Sequence, residues 1–176
     1  NPIHADNIYQ RALVGMEGEP VAGLKFSFLV GPDFRSFTSD HLLAGMETDP
    51  RLYAEGAATW AVTRVDDLSL NIKHWTLPAS GGKTLYADNC YDLGWKHAFT
   101  SQLTASLGVK ALGGEWETGR RNDWVYIARA GLNYKIDRHW SLESGYECDL
   151  GRSANRNFDG RDYDRHLLWL GGRYDF

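Results

Sequence analysis

The chain lacks any run of apolar residues close to the roughly 18 that a membrane-crossing helix needs, although 43% of its 176 residues are hydrophobic. It has little excess charge of either sign. Nineteen Lys and Arg against 23 Asp and Glu give a net −4, and the isoelectric point is about 5.8. With no basic field, nucleic acid is not expected as a partner. Cysteine is scarce: Cys90 and Cys148 allow one disulfide at most. Proline is sparse, at five residues. No convincing helix can be drawn, and "DHLLAGM" makes one turn at most. The glycines form no phosphate loop, since "GVKALGG" leads into no helix and "GGK" is a loop. No basic-plus-apolar leader opens "NPIHADN", so either a leader is removed or the chain is a piece of something longer.

What is present is alternation. Mean hydropathy is only −0.45, yet a period of two runs nearly from end to end. Residues 8–16 set Ile8, Val14 and Met16 against Tyr9, Arg11 and Glu17, and 24–31 set Leu24, Phe26, Phe28 and Val30 against Lys25 and Ser27. The same pattern returns over 52–65, 68–76, 85–97, 102–112, 124–136, 140–150 and the terminal "LWLGGRYDF", for about nine strands. Tight turns at "GEP", "DD", "HAFT" and "DRH" alternate with long polar loops, the first of them "PDFRSFTSDHLLAGMETDP".

A β-sandwich hiding one face in a core also alternates. Three features favour a membrane barrel. Short and long connections alternate around the chain, as in barrels with short periplasmic turns and long outer loops. Aromatic residues gather near strand ends: Trp60, Trp95, Trp124, Tyr126, Tyr134 and Trp140, with Trp75 and Tyr174 beside them. Their rings suit a lipid–water boundary. The opposite face is too charged for a dry core: Lys25, Glu55, Lys73, Asp92, Lys96, Lys110, Arg129, Lys135, Glu143, Glu147 and Arg173. Those residues are expected to line a wet lumen. Mixed signs on neighbouring strands suggest pairs, such as Lys110 or Arg129 with Glu143 or Glu147. The fold class expected is all-β, an antiparallel transmembrane barrel with about 8–10 strands in this chain. In lipid every backbone polar group needs a partner, so the sheet is expected to close and the final strand to pair with another strand.

Gly171-x-x-Tyr174-x-Phe176 closes the chain. It resembles the C-terminal β-signal of bacterial outer-membrane barrels, and "NIYQRALVGMEGEP…LKFSFLVGPDF" resembles the "putative β-barrel porin" family of Gram-negative bacteria. The resemblance implies outer-membrane localisation and a passive channel for small polar solutes. It also implies lipid and lipopolysaccharide as surroundings, and a barrel-assembly machinery that reads Gly171, Tyr174 and Phe176. Residues 1–176 form one barrel domain in this reading. Either the barrel has eight strands over about 22–176, or the chain is the C-terminal portion of a larger barrel. The hairpin 8–17/22–31 favours the larger barrel.

Catalytic signals are weak, and no enzyme activity, cofactor or metal is expected. An acyl-hydrolysing barrel would need His and Ser on one strand face, and no His-x-Ser occurs. "DYDRH" gathers Asp162, Asp164 and His166. A carboxylate-polarised His could activate water, but a solvated loop entering a strand explains the cluster as well. A small closed barrel acting through its loops is the alternative to a channel, and an outer-membrane enzyme the third reading. The strand phases put Cys90 inward and Cys148 outward, which opposes a disulfide.

Overall fold

In a computed structural model, residues 7–37, 50–78, 85–116, 121–154 and 162–175 are described. They form one antiparallel sheet and no helix. Its segments are β1 (Asn7–Arg11), β2 (Val14–Val21), β3 (Leu24–Phe37), β4 (Arg51–Ala61), β5 (Asp66–Pro78), β6 (Leu85–Ala98), β7 (Leu103–Trp116), β8 (Asn122–Lys135), β9 (Trp140–Ser153) and β10 (Tyr163–Tyr174). From β3 onward each strand pairs with the next in sequence.

β1 and β2 are one strand with an interruption. Both pair with β3 in a single register, Asn7 opposite Phe37 and Val14 opposite Val30. The break falls opposite Pro32, which has no N–H to donate, while the Ala12 N–H still reaches the Pro32 carbonyl at 3.3 Å. The sheet therefore has nine strand positions, matching the alternation.

Several boundaries move. "GEP" is not a turn: β2 runs through Pro20, with a register shift between Gly18 and Val21. An edge strand tolerates proline because one side of its backbone faces away from the ladder. The turn is Ala22–Gly23, where Gly23 takes φ +81°, a conformation costly for any residue with a Cβ. The "DD" pair opens β5 rather than making the turn. In its place the Thr63 hydroxyl accepts the Val65 and Asp66 N–H groups at 3.2 and 3.0 Å. The "HAFT" turn slides to Phe99–Gln102, capped by Thr100. "DRH" stands, with Asp137 accepting from the His139 and Trp140 N–H groups at 2.7 and 2.8 Å. β3 also runs on through "PDFRSF", read from sequence as loop.

The expected closure is absent among the described residues. β10 pairs with β9 alone, and β1 and β2 with β3 alone. With nine positions in alternating direction, β2 and β10 run the same way. They therefore cannot close antiparallel upon each other.

Burial is inverted relative to a soluble domain. The buried hydrophobic residues are only Tyr53 and Leu85 among the described ones, while Asp33, Arg35, Thr76, Ser141 and Asp149 are buried. Leu168 and Leu170 stand 80% and 81% exposed. A large exposed apolar surface of this kind must meet something other than water, which excludes the sandwich reading.

Candidate functional site

Cross-strand pairing aligns two faces through the sheet. On the apolar face Phe28 lies opposite Gly56, Gly56 opposite Ile72, and Ile72 opposite Tyr91. The six expected girdle residues, Trp60, Trp95, Trp124, Tyr126, Tyr134 and Trp140, all take this face. On β8 the face reads Trp124, Tyr126, Ala128, Ala130, Leu132, Tyr134, with rings at both ends and small or aliphatic groups between. Tyr126 and Tyr134 are eight residues apart, about 27 Å along the strand, close to the apolar band of a membrane barrel. Trp124 stacks on Tyr126 at 6.0 Å, and Trp140 meets Tyr174 at 4.9 Å. Trp75 is the exception. It takes the polar face, 5.3 Å from the Lys73 ammonium.

All eleven charged residues named from the sequence share the other face. Lys73 pairs with Glu55 at 3.5 Å, and Arg173 with Asp175 at 2.8 Å. Asn133 donates to Glu143 at 3.1 Å. The register sets Arg129 opposite Glu147, but the expected pair does not form. Arg129 turns the other way, over Gly108, and pairs with Asp92 of β6. Glu147 instead holds Arg165 of β10 at 3.1 Å, and Asp149 pairs with the same guanidinium. Lys25, Lys96, Lys110 and Lys135 have no ion pair among the described residues.

One cluster at the long-loop end was missed in the sequence. Asp33, fully buried, accepts from Arg35 at 2.7 Å and Arg11 at 3.2 Å. Arg11 lies 4.6 Å from the Tyr9 ring and 4.1 Å from the Tyr53 ring. Its signal was the parity of Asp33 and Arg35 with Lys25, hidden because Pro32 marked the stretch as loop.

The assembly signal falls partly outside the described residues, where Phe176 lies. Gly171 takes the polar face, and Tyr174 the apolar face beside Trp140.

Residues 35–176 match the family described as Putative beta-barrel porin 2. The chain belongs to that family. Among solved structures it is similar to OmpT (in-vitro folded), an outer membrane protein of Vibrio cholerae, with a TM-score of 0.65 and 13% sequence identity. The match covers 94% of this chain and 55% of that one, so the chain spans about half that protein's length. At that identity the likeness shows the fold alone, a membrane barrel. No curated protein matches the chain significantly. This member of the porin 2 family is thus a porin-like protein of the bacterial outer membrane.

The "DYDRH" residues are drawn apart by separate partners in this family member. Asp162 accepts from the Ser153 N–H at 2.8 Å, Asp164 pairs with Arg152 at 2.8 Å, and His166 bonds the Tyr146 hydroxyl at 2.7 Å. Among the described residues no group of three His, Cys, Asp or Glu side chains is placed to hold a metal. Cys90 and Cys148 are both free thiols, on the polar and apolar faces respectively.

Proposed function

We propose that this protein walls a water-filled channel through which small polar solutes diffuse passively across a Gram-negative outer membrane. The observation that carries the reading is the polar face itself. Its charges are balanced across strands by ion pairs, yet four lysines are left without one among the described residues, which a filled, dry interior would not tolerate. An eight-stranded barrel is just filled by its own side chains. Nine positions that cannot close antiparallel on themselves favour a wider barrel, completed by strands beyond this sheet. In this reading the chain performs no chemistry and needs no cofactor. Lipid and lipopolysaccharide surround the apolar face, and the barrel-assembly machinery engages β10 through Gly171, Tyr174 and Phe176.

The test is single-channel conductance of the full-length protein in a planar bilayer. Steady current proportional to salt supports the channel. Silence from correctly folded, heat-modifiable protein overturns it, and moves the function to the long loops of a closed barrel.

A further inference from the structure

The polar face carries one mid-strand cation whose facing partner is taken. Asp92 of β6 stands directly opposite Lys110 of β7. Arg129, on the far side of β7, captures the Asp92 carboxylate. It does so by lying across Gly108, where a Cβ would come 2.5 Å from Nε and 3.1 Å from Cγ of Arg129. A planar guanidinium fork holds a carboxylate better than a flexible, strongly hydrated ammonium does. Other carboxylates nearby are engaged too: Glu55 holds Lys73, and Glu147 and Asp149 share Arg165. Asp88, two residues along β6 from Cys90, lies within electrostatic reach of Lys110, but no ion pair forms between them among the described residues.

Among the described residues, the three other lysines without an ion pair lie near strand ends: Lys25 in β3, Lys96 in β6 and Lys135 in β8. Lys96 also has Asp67 directly opposite. Lys110 sits in the middle of its strand and lines a cavity of about 350 Å³ with Ser27, Asn71 and Asp92.

We infer that Lys110 is an anion-selecting residue of the pore, and that Gly108 keeps it so by letting Arg129 hold Asp92. An unpaired ammonium on a wet wall attracts anions without first breaking an ion pair. The inference rests on the channel reading.

The experiment is the reversal potential of the full-length protein in a bilayer under a KCl gradient, for the parent, Lys110→Gln and Gly108→Ala. Lys110→Gln should lower the chloride-to-potassium permeability ratio about fourfold, because one unit charge acting through water at about 10 Å changes each ion about twofold, in opposite directions. Gly108→Ala leaves the formal charge untouched. Its methyl group pushes Arg129 off Asp92 and towards Glu147, opposite it in register, while Asp149 keeps Arg165. Asp92 then returns to Lys110, so the ratio should fall in the same direction. A conducting parent whose reversal potential neither variant moves overturns the inference alone. A shift from Lys110→Gln without one from Gly108→Ala overturns the role of Gly108. A folded parent that carries no current overturns the channel reading, and the inference with it.

Discussion

Arg35 closes on Asp33 two residues back along β3, Nη2 to Oδ2 at 2.7 Å, with both side chains withdrawn from solvent. Arg11 reaches the same oxygen from β1 at 3.2 Å, tying the interrupted first strand to β3. Removing one partner of a buried pair leaves uncompensated charge. Asp33→Ala should therefore cost about 3–5 kcal/mol, read as a fall in the urea unfolding midpoint in lipid vesicles. A midpoint equal to the parent's would mean that solvent or lipid headgroups satisfy both guanidiniums.

Phe28 tests the apolar face. It lies mid-strand opposite Met16 and Gly56 and is 39% exposed. Arginine on the lipid side near the midplane of a membrane barrel costs about 2–4 kcal/mol. Phe28→Arg should destabilise by that amount, and Ser27→Arg, one residue away on the polar face, by much less. Equal effects at the two positions would mean that the faces are not separated by lipid and water.

The sequence made the faces legible and left the pairings obscure. Side chains alternate strictly along a strand, so Lys25 and Glu143 could be placed on one side from parity alone. The hairpin of β2 and β3 was readable for the same reason. Turns were less secure because their signals are local. Pro20 and the Asp66–Asp67 pair looked like breakers, yet an edge strand accepts the first and a strand start the second. Arg129 shows where parity stops. Register sets it against Glu147, but the empty space over Gly108 sends its side chain to Asp92. Closure was beyond reach too, since the pairing of an edge depends on strands that local alternation does not specify.

Asp137 offers a pH test outside the membrane. In the β8–β9 turn its carboxylate accepts two backbone N–H groups, from His139 and Trp140. Those bonds favour the ionised form and hold its pKa below the ordinary carboxylate value of 3.8. A depressed folded pKa contributes stability that is present above the unfolded pKa and is lost as pH falls through the folded one. The turn should therefore be unaffected between roughly pH 5 and 8, and loosen only under acid. Amide exchange of His139 and Trp140 should rise below about pH 4 in the parent and be already fast, and pH-independent beyond the intrinsic rate, in Asp137→Ala. Equal protection in the two proteins at neutral pH would mean the cap contributes nothing.

The cysteines give a direct reading of which face is wet. Cys90 lies opposite Leu112 on the polar face, and Cys148 opposite Ala128 on the apolar face. They point to opposite sides of the sheet, so no disulfide joins them and oxidation should not change gel mobility. In vesicles, a charged thiol reagent that cannot enter lipid should modify Cys90 in a Cys148→Ser variant. The same reagent should leave Cys148 untouched in a Cys90→Ser variant. A fluorophore on Cys148 should be quenched by brominated acyl chains, and one on Cys90 should not. Modification of Cys148 with protection of Cys90 would exchange the faces. Protection of both from the charged reagent would mean that water does not reach the polar face at the depth of Cys90, and the wall would belong to a filled barrel instead of a channel.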